Sequence, residues 1–302
     1  MNTKTHSEEN IDGGPGNGPQ PGKVRVAIVG VGLIGGSMAL ALMNSNMAGK
    51  IIGVDSNPIH ADTALQLNIV EEIMPLEEAV MQSDVIILAV PVNIAEKLLP
   101  VIMNLVSKQV VLDVGSTKSA ICVLAQSGKS PGRFVATHPM WGTEFSGPGA
   151  AVRGAFHGKA VVICDGEKSD ADAVATVESI YRFLGMHIIY MNSSAHDIHA
   201  AYISHISHIS SFALANTVLE KEKEDDKIFE LASGGFESTV RLAKSNIETW
   251  VPVFRQNKEN VLDVLNEHIA QLRKFKSCLE KDNFEYLGEL IQNANKISRI
   301  LK

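Results

Sequence analysis

The sequence predicts a doubly wound α/β domain followed by an all-α domain, and three observations carry that prediction. Short, fully apolar runs rich in Val and Ile alternate with helix-length stretches as far as residue 191. A glycine-rich hexapeptide, GVGLIG at 30–35, sits where the first such run meets the first helical stretch. After about residue 192 the strand signals stop, and apolar residues recur at helical spacing to the end of the chain. Strands that are apolar along their whole length are buried on both faces, which implies a parallel sheet with helices above and below it.

Residues 1–22, MNTKTHSEENIDGGPGNGPQPG, contain no apolar segment of the signal-peptide kind, and their Gly, Pro and Asn content cannot bury a core. They are read as a disordered arm. The α/β domain, 23–191, opens with VRVAIVG at 24–30 and continues through KIIGVD (50–55), SDVIILAV (83–90), QVVLDV (109–114), RFVATH (133–138), KAVVICD (159–165) and HIIYM (187–191). Helices are predicted at 58–67, 93–106, 117–127 and 169–184. The second domain, 192–302, has helical stretches at 193–222, 225–245, 247–279 and 283–301, with a loop at ASGGF (232–236).

Composition narrows the class of function. A length of 302 residues suits about two domains. A net charge of −7 and a pI near 5.8 argue against a broad nucleic-acid surface, so any anionic ligand needs a locally positive site. The three cysteines form no CxxC pair and sit among aliphatic neighbours, as reduced core residues of a cytoplasmic protein do. No apolar stretch approaches the ~18 residues of a membrane span.

The hexapeptide has the context that makes its pattern informative: a strand before it and a helix after it. Gly30 permits the tight turn, Gly32 lets the backbone approach a pyrophosphate, and Gly35 allows close helix–strand packing, with Leu33 and Ile34 completing the loop. Unpaired N–H groups at the helix start then face the anion. Asp55 ends the next strand, 20 residues beyond Gly35. A carboxylate there accepts from ribose hydroxyls and repels a 2′-phosphate, so this Rossmann-type domain is predicted to bind NAD rather than NADP. Val90, Pro91, Ser116 and Thr117 follow later strands and should border the nicotinamide, one of the two hydroxyls capping the following helix and the other contacting ligand.

Five segments in order then resemble one family: GVGLIGGS (30–37), DVGSTK (113–118), THPMWGTEFSGP (137–148), HDxxxAxxSHxxH (196–208) and SGGFxxxxRLA (233–243). The chain is similar to the prephenate/arogenate dehydrogenases of tyrosine biosynthesis over about 23–280. The resemblance implies a helical domain that binds substrate and forms a homodimer, and an NAD-dependent oxidative decarboxylation of prephenate to 4-hydroxyphenylpyruvate. That chemistry needs a base, and His138, after the strand RFVAT, is the natural candidate because a neutral imidazole is available near pH 7. Matching the family motif, Ser116 would hydrogen-bond His138 and the substrate hydroxyl. Arg241 would grip a carboxylate through two parallel hydrogen bonds, Glu144 would bind substrate or gate the site, and Trp250 would lie near the pocket.

HDIHAAYISHISHISSF (196–212) reads as a helix with a small apolar face, along which Asp197, Ser204, His205 and His208 share one side. By family match His208 and Ser204 face substrate, Asp197 supports the catalytic wall, and His205 is a buried partner. No metal is expected, because His196 and His199 lie about two turns from His208 and the reaction needs none. Where relatives often carry Pro between the two histidines this chain has Ser207, which predicts a locally straighter helix. Three other readings remain at this stage. Arogenate has an ammonium in place of the keto group and would call for a nearby acid. Another NAD-dependent hydroxyacid dehydrogenase would use a lysine, with Lys244 its candidate. A non-catalytic NAD sensor would not need His138.

Overall fold

The computed structural model describes residues 24–300 apart from 44, 46, 224 and 225, so the arm at 1–22 lies outside the described residues. Eight strands form one sheet in the order β3-β2-β1-β4-β5-β6-β7-β8. They are β1 (Val24–Val29), β2 (Ala48–Val54), β3 (Glu72–Ile73), β4 (Val85–Leu88), β5 (Val110–Asp113), β6 (Phe134–Pro139), β7 (Ala160–Cys164) and β8 (His187–Met191). Helices α1 (Leu33–Leu42), α2 (Pro58–Gln66), α3 (Leu76–Gln82), α4 (Val92–Leu105), α5 (Ser119–Ala125) and α6 (Ala171–Phe183) join them. Alternate residues of one strand feed two cores. Val26 and Ile28 of β1 pack into one cluster with Met38 of α1 and Tyr181 of α6, while Ala27 and Val29 pack into the other with Leu99 and Ile102 of α4. Each large side chain buried in this way contributes about 1.5–3 kcal/mol.

The first six strands run parallel, but β7 pairs with β6 antiparallel, His138 opposite Val162. A wholly parallel sheet was predicted, and the connection explains the reversal. A parallel return needs a crossover, usually a helix. Residues 140–159 carry five glycines and form only a 3₁₀ turn at Pro148–Ala150. The segment therefore turns back at the carboxyl edge of the sheet, and it stays there, beside His138.

Past Met191 the chain is helical: α7 (Ser193–Ala200), α8 (Ile206–Glu222), α9 (Gly234–Val240), α10 (Ile247–Gln256), α11 (Lys258–Glu280) and α12 (Phe284–Ala294). Between α7 and α8 lies one π turn, Ala201–His205. The exposed Ser207 lies within regular α8, and the irregularity falls just upstream, where the π turn inserts an extra residue. The 225–245 stretch also breaks up, into a 3₁₀ turn at Asp226–Leu231, α9, and a 3₁₀ turn at Arg241–Lys244. The buried cluster of this half is small, comprising Ala201, Val261 and Val264 with Ile206, Ile209 and Phe254 against them. Ile247, Leu272, Leu279 and Phe284 are more than half exposed. No described helix is long and apolar enough to cross a membrane.

Candidate functional site

One edge of the site is main chain. Gly30 has φ +97°, and a Cβ there would lie 2.6 Å from the Ala89 carbonyl oxygen. At Gly35 a Cβ would lie 2.0 Å from the Gly30 carbonyl oxygen, so β1 and α1 meet at a distance only glycine permits. Gly32 is different: an added Cβ meets nothing within 4 Å, which leaves the mouth of the loop open. Gly32 caps α1 without a side-chain hydrogen bond, so the first amides of the helix remain available to an anion. Leu33 and Ile34 are half-buried at the helix start, and Val90 and Pro91 follow β4 on the neighbouring side. Asp55 accepts from the Val31 N–H at 3.1 Å and the Asn57 N–H at 2.9 Å, one on each oxygen, which ties the end of β2 to the glycine loop. A second lone pair stays free on each oxygen.

The centre of the site is a chain of three side chains. His138, half-buried at the end of β6, has its Nδ1 2.8 Å from Nε2 of His196, and His196 Nδ1 is 2.9 Å from Oδ1 of Asp197. The ionised carboxylate can only accept, so His196 donates from Nδ1 and its Nε2 carries a lone pair. That lone pair accepts a hydrogen bond from the His138 Nδ1–H. The ring of His138 is thereby left with its lone pair on Nε2, which has no protein partner. Burial, then the neighbouring His196, Lys118 and His205, push the His138 imidazolium well below its ordinary range, so the ring is neutral near pH 7. Burial alone would raise the Asp197 carboxyl. Hydrogen bonds from His196 and from the amides of Ser119 and Lys118 outweigh it and hold that carboxyl below its ordinary value.

Two expectations change here. Ser116 does not bond to His138, whose Nδ1 is taken by His196. Neither Ser116 nor Thr117 caps α5. Asp197 does so from across the molecule, accepting from the Lys118 and Ser119 N–H groups at 2.8 and 2.9 Å. Thr117 instead bonds Gln256 at the end of α10. Asp197 was expected to support the catalytic wall from the same helix side as the substrate contacts Ser204 and His208. Buried, with both oxygens occupied, it lies beneath the site and supports it.

The far wall belongs to the helical half. His208 stacks on Trp250 with ring centroids 3.4 Å apart and planes at 27°. Its Nδ1 donates to the Ser204 carbonyl at 3.0 Å, which leaves a lone pair on Nε2. Burial pushes its pKa down against that hydrogen bond. The Ser204 side chain is half-buried nearby. His205 is fully buried, and its Nδ1 accepts from the Asn257 amide at 3.1 Å. Arg241, about half exposed, donates from Nη1 to Oε2 of Glu144 at 2.8 Å. The loop that reaches back from β6 therefore meets the helical half at this ion pair. A hydrogen bond from its own main chain, then the one from Arg241, hold the Glu144 carboxyl below its ordinary value. Trp141 turns away into the core, edge-on to Phe156. Lys244 sits exposed on the same turn as Arg241.

Two family models meet the chain end to end. The nucleotide-binding domain of prephenate dehydrogenase matches residues 38–190, and its dimerization domain matches 192–293. The chain belongs to the prephenate/arogenate dehydrogenase family. Among similar proteins in this family, the prephenate dehydrogenase of Bacillus subtilis (strain 168) is 29% identical over 276 residues, spanning 90% of this chain and 74% of that one. The cyclohexadienyl dehydrogenase of Zymomonas mobilis is 28% identical over 280 residues, 92% of this chain and 96% of that one. In structure, the prephenate dehydrogenase of Aquifex aeolicus in complex with hydroxyphenyl propionate and NAD+ superimposes with a TM-score of 0.83 at 31% identity, covering 91% of this chain and 97% of that one. The order of domains predicted above is that of the family: a nucleotide-binding α/β domain first, a helical one after it.

His196 is the residue that motif reading passed over. It had been weighed only as a metal ligand, yet it is almost fully buried and bonded at both nitrogens. The usable signal was its neighbour, because a His beside an Asp in a buried helix has a partner that fixes its tautomer.

Proposed function

We propose that the protein catalyses NAD-dependent oxidative decarboxylation of prephenate to 4-hydroxyphenylpyruvate, with His138 as the base. The observation that carries this reading is the Asp197–His196–His138 chain, which leaves one neutral imidazole nitrogen, Nε2 of His138, with a free lone pair. Residues 23–191 are proposed as the cofactor domain and 192–302 as the substrate and dimerisation domain. The glycine loop fits a dinucleotide: the cradle is crowded behind Gly30 and Gly35 and open in front of Gly32. Gly30, Gly32, Leu33, Ile34 and Gly35 would hold the pyrophosphate half of NAD, Asp55 its ribose, and Val90, Pro91, Ser116 and Thr117 the nicotinamide half. NAD, when bound, accepts the hydride released from ring C4.

The protein's residues handle the proton and the two carboxylates. His138 Nε2 takes the 4-hydroxyl proton as the C–H electrons leave, and the ring carboxylate departs as CO2 while the ring becomes aromatic. Ser116, half-buried in the loop after β5, the strand next to β6, would contact the same hydroxyl. Arg241 is the carboxylate clamp, and it must exchange Glu144 for substrate to act. His208 and Trp250 form the wall against the side chain, with Ser204 at its edge. Homodimerisation through the helical half is supported by its exposed apolar residues and its small internal core.

One observation favours a second reading, the amino analogue arogenate. A neutral His208 that donates from Nδ1 presents an acceptor at Nε2, suited to an ammonium group. The deciding experiment is NADH formation with each substrate under matched NAD. Faster turnover of prephenate supports the first reading, and preference for arogenate moves the same chemistry to the second. Silence with both overturns the assignment of His138.

A further inference from the structure

Lys118 is fully buried, and nothing in the proposed chemistry uses it. Its ammonium bonds the Asp113 carboxylate and donates to the Thr137 carbonyl at 2.7 Å. Thr137 immediately precedes His138, and each of its polar groups is held. Its N–H donates to Asp113 Oδ1 at 3.2 Å, its carbonyl accepts from Lys118, and its hydroxyl bridges the Asp113 carbonyl and Tyr181. At its other end, the Lys118 main-chain N–H donates to Asp197 Oδ1. The same oxygen accepts from His196, which accepts from His138. The contacts close into a ring: Lys118 ammonium, Thr137, His138, His196, Asp197, and back to the Lys118 amide.

We propose that Lys118 is the positioning residue of this site, fixing the backbone of His138 through its ammonium and the ring of His138 through the amide that anchors Asp197. The inference rests on the reading of His138 as base and deepens it. The ammonium also opposes a second positive charge on His138. The groups facing that ring are His196, His205 and Lys118, with Asp197 behind His196 and Asp113 behind Lys118.

Lys118→Met alone strands Asp113 as a buried unpaired charge, so the fair comparison is the double variant Asp113→Asn/Lys118→Met. The side-chain amide that replaces the Asp113 carboxylate keeps an acceptor for the Thr137 N–H, and exchanging a buried pair for neutral groups of similar volume is often tolerated. The full-length double variant should bind NAD within about two-fold of the parent by fluorescence titration. Its kcat should fall about 10- to 100-fold with KM little changed, a loss within the span of a misplaced base. The variant removes a cation together with its paired anion, so the split between kcat and KM, not the pH profile, reads the positioning role. A folded, NAD-binding double variant that keeps parental kcat overturns the proposal, and so does one whose loss lies in KM alone. His138→Asn is run beside it. If that variant keeps parental turnover, the base reading fails independently of Lys118.

Discussion

The two sides of the cleft are made of different materials. The cofactor side is backbone: three glycines, the uncapped start of α1, and an aspartate tied to the loop by main-chain hydrogen bonds. The substrate side is side chain: an arginine held by a loop glutamate, a histidine lying on a tryptophan, and a base whose tautomer is set two residues away. Backbone geometry suits what every dinucleotide shares and tolerates no added atom at Gly30 or Gly35. Side-chain geometry recognises one small molecule and can be retuned by single substitutions. The contrast teaches how each side fails: loss on the first side is steric, whereas loss on the second is chemical.

That contrast can be broken or sharpened by experiment. The largest expected effect is His138→Asn, which should lower kcat about 10²–10⁴-fold while NAD affinity stays within two-fold. A parallel loss of NAD binding would mean that the two sides are not separable. Gly35→Ala comes next. Its Cβ lies 2.0 Å from a carbonyl oxygen, so NAD binding by calorimetry should weaken at least about ten-fold, with a lower Tm. Unchanged affinity would show that the loop yields where the geometry says it cannot. Arg241→Lys keeps the charge and removes the planar fork, so KM for the carboxylate substrate should rise about ten-fold with kcat changed less.

The smallest effect is on stability. His138, His205 and His208 all have lowered pKa values, that of His205 falling to about 4. Each takes up a proton near pH 6.5 when unfolded but not until lower pH when folded. For His205, stability is fully present above about pH 6.5 and lost as pH falls from there to about 4, by about 1.4 kcal/mol per unit, and His138 and His208 act in the same direction. Melting scans between pH 7 and pH 5 should show it, and His205→Gln should flatten the slope. An acid-insensitive Tm would mean these rings are less buried than described.

What the sequence disclosed follows the same division. The strand runs, the glycine loop, Asp55 and the change to helix after 191 are local patterns, and each is found in place. The antiparallel entry of β7 was missed because an apolar run carries no direction. Only the helix-breaking glycines at 142–158 hinted at it. The π turn at 201–205 was missed because a helical period read from sequence assumes a constant rise. The capping of α5 by Asp197 and the bond between His138 and His196 join residues 79 and 58 positions apart, and no spacing rule reaches that far. Motif resemblance pointed to His138, Arg241 and His208, but the partners that hold them emerge only in three dimensions.

Asp197 sits in one half of the chain and closes the first turn of a helix in the other. The joint between the halves is thus also a piece of secondary structure, and whatever loosens the joint frays α5 beside the base. The halves should then melt in a single transition. A nucleotide-binding half made alone would still offer its glycine loop, but it would have a helix with bare amides and a histidine free to choose either tautomer. Inheritance follows from this as well: a helical half cannot be traded for another unless it brings an aspartate to that same turn.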